Sequence, residues 1–158
     1  VLMIDIDLFK SINDSYGHDV GDHVIESAAG LIAESIRETD LVARFGGEEF
    51  TVVAPFSDEE EAYALGERIR RNCEQWSLRT SGEEIQFSVS VGAASLNGDA
   101  PDGDGSGGDG GDRGNGASDD RRSGAERLLE GLFARADDAL YQAKREGRNR
   151  VVVVSQTE

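Results

Sequence analysis

Gly46 and Gly47 stand between two apolar runs, LVARF (41–45) and FTVV (50–53), and this limits the fold more than any other feature. A Gly-Gly step closes a two-residue hairpin, because both residues can take positive φ without a steric cost. An antiparallel strand pair over 41–54 is therefore predicted in the first half of the chain. Glu48 and Glu49 follow the turn directly. Glutamate is a poor strand residue and is costly to bury unpaired, so something nearby should make negative charge useful.

The segments around the hairpin read as a mixture of strands and helices. VLMIDI at the start is a short apolar run, a buried strand ending at Asp5 and Asp7. FKSINDSYGHDVGD follows, with turn chemistry at Gly17 and Gly21. The spacing of Ile25, Ala29, Ile32 and Ile36 predicts a helix over 22–37. After the hairpin, Ser57 and Glu60 have capping-box spacing, and Ala62, Leu65, Ile69, Cys73 and Trp76 make one apolar helix face. EIQFSVSVGAAS (84–95) alternates like a strand. AERLLEGLFARADDALYQAKREG (125–147) reads as a helix with Leu128, Leu132, Ala136, Ala139 and Ala143 inward and Gly147 as its stop. NRVVVV closes the pattern as a strand.

Residues 98–124 are of another composition. Ten of the chain's 20 glycines lie there, with seven aspartates and no aliphatic side chain larger than alanine. Such a stretch buries too little apolar area to offset its ordering entropy and is expected to be a disordered insertion. The remaining elements form a single domain of 1–158, of α+β class, with a mixed or antiparallel sheet flanked by helices.

Charge excludes one class of partner. The 158 residues carry 32 Asp and Glu against 16 Lys and Arg, a formal charge of −16. Such a surface repels nucleic acid and anionic membrane. Lysine occurs only at Lys10 and Lys144, and an acid-rich, lysine-poor chain resembles proteins of salt-loving organisms. A lone cysteine, Cys73, forbids an internal disulfide, and no apolar run spans a bilayer. A cytoplasmic domain is expected, with any membrane anchor left to regions outside this sequence.

Two readings of the acidic residues stand side by side. If the first strand neighbours the hairpin, Asp5 and Glu48 converge at one edge, and two such carboxylates repel unless a cation lies between them. Oxygen donors without His or Cys suit Mg²⁺ and a phosphate ligand. Alternatively, the hairpin tip is simply a solvated acidic turn in an acidic protein.

Three quoted stretches carry a resemblance. RFGGEEF (44–50) resembles the signature of the GGDEF family, the diguanylate cyclases, in its GGEEF form. MIDIDLFKSINDSYGHDVGD (3–22) resembles that family's first strand and purine-pocket segment, and ADDALYQAKREGRNRV (136–151) its last helix and strand. The resemblance implies a palm-like nucleotidyl-cyclase fold. Family domains begin with a helix and a DxLTGLxNR-type segment that this sequence lacks, so the N-terminal part of the domain is expected to be missing.

The resemblance also implies the chemistry. Asp5, the Ile6 carbonyl and Glu48 would hold Mg²⁺, or Mn²⁺ in its place, against GTP. Two GTP molecules would condense to cyclic di-GMP with release of pyrophosphate in a transient homodimer. Glu48 is the expected proton acceptor, with Glu49 and Lys10 beside it as catalytic groups. Phe9, Asn13, His18, Asp22, Gly46 and Gly47 would receive the nucleotide, and Lys144 and Arg148 its phosphates. RETD (37–40) matches the family's RxxD site, where Arg37, Asp40 and Arg68 would bind the product and inhibit. An upstream sensor domain is the expected partner. The rival expectations are a catalytically silent receptor for GTP or cyclic di-GMP, and a related cyclase of different nucleotide choice. The residue-level alternatives are plain: Asn13 as a turn residue, Asp22 as a helix cap, Arg37 and Asp40 as a helix-end ion pair.

Overall fold

The computed structural model describes residues 1–80, 82–96 and 117–154. The element order is β1 (Leu2–Ile6), α1 (Phe9–Tyr16), α2 (His18–Ser35), β2 (Leu41–Gly46), β3 (Glu49–Val53), α3 (Glu59–Gln75), β4 (Ser77–Thr80), β5 (Glu83–Gln86), β6 (Val89–Ala94), α4 (Ala117–Arg145) and β7 (Val151–Val154). Five strands form one sheet in the order β2-β3-β1-β6-β7, and β4 and β5 form a separate two-stranded ribbon. Among the described residues only β6 and β7 run parallel, so the sheet is mixed, as the sequence leads one to expect.

Alternation in β1 explains how this sheet can be both core and site. Leu2, Ile4 and Ile6 face one cluster with Val24, Ile32, Phe50, Val52, Leu65, Ile69 and Val91, so α2 and α3 cover that face. Met3 packs instead with Leu132, Ala136 and Leu140 of α4. Side chains two apart share a sheet face, so Asp5 belongs on the α4 side with Met3. VLMIDI is buried throughout from Leu2 to Ile6, yet only its even positions serve the larger core.

On the α4 side helix and sheet approach closely. A Cβ placed on Gly92 of β6 would meet the backbone of Leu140 and Ala136. On the other side, Gly66 of α3 has Val151 and Val91 at its surface. Small residues at both contacts let the helices lie against the strands.

Several local expectations shift. Gly17 does bend the chain, with φ 86°, but Gly21 lies inside α2, where it is buried against α1. The α3 capping box uses Asp58 and Glu61, one residue later than Ser57 and Glu60. Glu61 N donates to Asp58 Oδ1 at 2.8 Å, and Asp58 N to Glu61 Oε2 at 3.3 Å. Aspartate caps as well as serine, and both registers carry the acid at the third position. The alternating 84–95 run breaks into β5 and β6, and Phe87 between them is buried against Trp76, ring centroids 5.1 Å apart. Leu128 is 53 % exposed, while Leu132, Ala136, Ala139 and Ala143 are buried as expected. Cys73 is core, and burial pushes its thiol up to about 12.

Of the Gly/Asp-rich segment, residues 98–116 lie outside the described ones, and α4 begins at Ala117. Among the described residues no helix is long and apolar enough to cross a membrane.

Candidate active site

The hairpin lands beside β1 in a register that brings the acids together. Asp5 pairs with Glu49 across the β1–β3 ladder, and Ile6 N donates to the Glu48 carbonyl at 3.3 Å. Gly46 pairs with Glu49 after a register shift, and Gly47 takes φ 52°. Nothing lies within 4 Å of a Cβ at either glycine, so the turn is open above its backbone. Arg44 Nε fixes the turn by donating to the Gly47 carbonyl at 2.8 Å.

Asp5 is buried, and Glu48 and Glu49 are half-buried. Burial raises the Asp5 pKa; hydrogen bonding and charge from Lys144 oppose that, and the Glu48 and Glu49 carboxylates add to the rise. Lys144 Nζ lies 2.8 Å from Asp5 Oδ2. The lysine thus already supplies a cation where acidic side chains crowd. The donors fit Mg²⁺ in kind: Asp5 and Glu48 are hard oxygen ligands, and the Ile6 carbonyl is a neutral one. Among the described residues no three His, Cys, Asp or Glu side chains already converge as a closed cage.

A second group forms between α1 and α2. Phe9 opens α1, half-buried against the core, and Asn13 follows one turn later. Asn13 Oδ1 is buried without a hydrogen-bond partner and faces Gly21, where a Cβ would collide with it. A buried acceptor left unpaired is costly, so an orphan of this kind suits a ligand donor. His18 and Asp22 lie four residues apart on α2 and so share one face. The side chains of Lys10, His18, Asp22 and Arg148 stand exposed.

The third group is also assembled by the fold. Arg37, Asp40 and Arg68 line one cavity of about 80 Å³ with Ser57, Glu61, Ala64 and Leu65. Asp40 is buried, and its Oδ2 accepts from Arg37 N at 2.9 Å. Arg37 reaches Glu61 at 3.3 Å, and Arg68 Nε donates to the Ser35 carbonyl at 2.9 Å. The helix-end pairing of Arg37 with Asp40 is therefore backbone to carboxylate, which leaves the guanidinium directed elsewhere.

Sequence reasoning passed over Asp7 and Asn149. Asp7 is buried and accepts hydrogen bonds from Ser88 Oγ at 2.7 Å, Ser90 Oγ at 2.6 Å and Asn149 N at 3.0 Å. The signal was the Asp-Ile-Asp spacing, which puts two carboxylates on one face.

Comparisons with known proteins identify the family and the fold. The family model described as diguanylate cyclase, GGDEF domain, matches residues 1–104. Diguanylate cyclase A of Treponema denticola is 39% identical over 153 residues, which cover 97% of this chain and 34% of the relative. Diguanylate cyclase DosC of Escherichia coli K12 is 39% identical over 152 residues, 96% of this chain and 27% of the relative. The chain thus spans about a third or less of the length of these relatives. The active GGEEF domain of a diguanylate cyclase from Vibrio cholerae superposes with a TM-score of 0.73 at 32% identity, covering 99% of this chain and 82% of that one. The GGDEF domain of DgcB from Caulobacter crescentus, solved in complex with c-di-GMP, gives 0.73 at 30% identity, covering 96% and 75%. With its acidic hairpin seated against the first strand and its family model matched over most of its length, the chain belongs to the GGDEF family of diguanylate cyclase domains.

Proposed function

We propose that this domain condenses two GTP molecules into cyclic di-GMP. The observation that carries the reading is the β1–β3 register, which sets Asp5 opposite Glu49 with Glu48 one backbone hydrogen bond from Ile6. Each 3′-hydroxyl attacks the α-phosphorus of the other nucleotide; the new P–O bond forms as the bond to the β-phosphate breaks and pyrophosphate leaves. One GTP occupies each copy, so turnover needs a transient homodimer, brought together by an upstream sensor.

Asp5, the Ile6 carbonyl and Glu48 would hold the divalent ion, Mg²⁺ or Mn²⁺. When bound, that ion supplies charge neutralisation on the triphosphate and lowers the pKa of the attacking hydroxyl. Glu48 accepts the hydroxyl proton, and Glu49 adds negative field at the same edge. The open backbone at Gly46 and Gly47 admits the phosphates closely, and Lys10, Lys144 and Arg148 neutralise them. Guanine binds beside α1 and α2, where the unpaired Asn13 Oδ1 and the Asp22 carboxylate meet its edge and His18 lies alongside. Lys144 then exchanges part of its pairing with Asp5 for phosphate.

Product binds a second time at Arg37, Asp40 and Arg68 and inhibits. The c-di-GMP complex of the Caulobacter domain supports a product-binding role for this fold. The cavity of about 80 Å³ is below the usual ligand-pocket range of about 300–1,000 Å³, so Arg37 must swing from Glu61 to admit a guanine.

Incubating the full-length protein with GTP and Mg²⁺ in high salt, with products read by mass spectrometry, tests the reading. Cyclic di-GMP from the wild type and none from a folded Glu48→Ala variant is the expected result. Product from Glu48→Ala would overturn the assigned site.

A further inference from the structure

The α4–β7 turn carries the cations of the proposed site, and it is built from unfavourable backbone. Arg148 and Asn149 are consecutive non-glycine residues at φ 64° and 47°. Left-handed pairs of this kind persist only where the surroundings hold them. The helix side contributes one bond, Arg148 N to the Ala143 carbonyl at 3.0 Å. The decisive hold comes from the far end of β1. Asn149 N donates to Asp7 Oδ2 at 3.0 Å, across 142 residues of sequence.

Asp7 is itself immobilised. Asp7 is 6% exposed, and the Ser88 and Ser90 hydroxyls also donate to its carboxylate. Its own N–H donates to the Ser88 carbonyl at 2.9 Å. The Asn149 side chain is gripped from α3: Arg70 donates to its Oδ1 at 2.8 Å, and its Nδ2 donates to Glu74 Oε1 at 2.6 Å. The turn is therefore clamped between the end of β1 and α3. The last helical turn before it carries Lys144, bound to Asp5, which precedes Asp7 by two residues.

We propose that Asp7 is a positioning residue for the phosphate-binding cations. It accepts the Asn149 N–H and so holds the left-handed turn that carries Arg148 and follows the helical turn of Lys144, which is bound to Asp5. The proposal rests on the cyclase reading above. Asp7 itself touches neither metal nor nucleotide; its effect passes through the turn.

The experiment is a kinetic cycle on the full-length protein with GTP and Mg²⁺. Asp7→Ala is expected to raise KM for GTP about tenfold or more, with kcat changed less than threefold, because a hydrogen bond to a buried carboxylate is lost. Asp7→Asn should recover most of that affinity, since an amide oxygen still accepts the Asn149 N–H and the serine hydroxyls can reverse. In the double variant with Arg148→Ala, KM should rise no further than in the worse single variant. If Asp7→Ala does not fold, Asn149→Val decides: it leaves Asp7 and its serines intact but disfavours the left-handed turn, and KM should rise by a similar factor. An unchanged KM in Asp7→Ala, or multiplicative effects in the double variant, would overturn the proposal while leaving the cyclase reading standing. Absence of cyclic di-GMP from the wild type would defeat the cyclase reading instead.

Discussion

Lys144 Nζ sits 2.8 Å from Asp5 Oδ2, joining the last turn of α4 to the central strand at the point where three carboxylates crowd. The contact joins what sequence places 139 residues apart, and it gives the site a cation of its own before any nucleotide arrives. It also makes Asp5 a residue kept at a cost.

That cost has a sign. Burial raises the Asp5 pKa, so the native state binds its proton more readily than the unfolded chain does. The contribution to stability is full below the ordinary carboxylate range and is lost as pH rises through the raised value. Asp5→Asn is therefore expected to raise Tm at neutral pH by roughly 2–4 °C for each kcal/mol recovered. The gain should vanish below about pH 4. The same variant should make no cyclic di-GMP, and Mg²⁺ with a non-reactive GTP analogue should raise the Tm of the wild type alone. A lower Tm for Asp5→Asn at pH 7 would contradict this account.

Gly21 packs against Asn13 and Phe9, in the pocket proposed for the nucleotide. A methyl group there would run into Asn13 Oδ1, with Phe9 Cζ 3.2 Å away. Alanine favours a helix by about 1 kcal/mol over glycine, so Gly21→Ala should leave Tm nearly level while Asn13 is displaced. KM for GTP should rise about tenfold. A clear fall in Tm with an unaltered KM would show that the pocket lies elsewhere.

Gly92 and Gly131 make a matched pair. At Gly92 a Cβ meets α4 backbone, which cannot rotate away as a side chain can. Gly92→Ala should lose about 1–3 kcal/mol or more in urea unfolding. Gly131 lies within α4 with nothing within 4 Å of a Cβ. Gly131→Ala should gain up to about 1 kcal/mol.

At the cavity lined by Arg37, Asp40 and Arg68, Arg37 and Asp40 should behave differently. The Arg37–Glu61 pair is 61% and 42% exposed, so its own worth is slight, about 0.2–1 kcal/mol. Arg37→Ala should keep initial turnover and relieve late inhibition in progress curves. Asp40 is buried and accepts the Arg37 backbone N–H, so Asp40→Ala should relieve inhibition and also cost about 1 kcal/mol of stability. Progress curves of Arg37→Ala that still flatten as in the wild type would remove the inhibitory assignment.

The sequence by itself determined the hairpin, though its turn falls at Gly47 and Glu48 rather than at Gly46 and Gly47, and the helical faces of α2 and α3 and the apolar first strand, because each is written in short-range periodicity and turn chemistry. It also located the acidic residues and both lysines. It could not place the Gly21 backbone inside a helix, since a glycine at a turn and a glycine under a close contact look alike in a string of letters. The break between β5 and β6, where Phe87 packs on Trp76, is a tertiary feature that alternation does not show. Above all, register is a long-range property: sliding β1 by one residue would turn Asp5 and Asp7 into the core and Ile4 and Ile6 toward α4. Only the assembled sheet, with α4 packed over Gly92, brings Asp5, Glu48, Lys144 and the Asp7-anchored turn to one corner, because their meeting is fixed by strand pairing and helix contact rather than by any local run of residues.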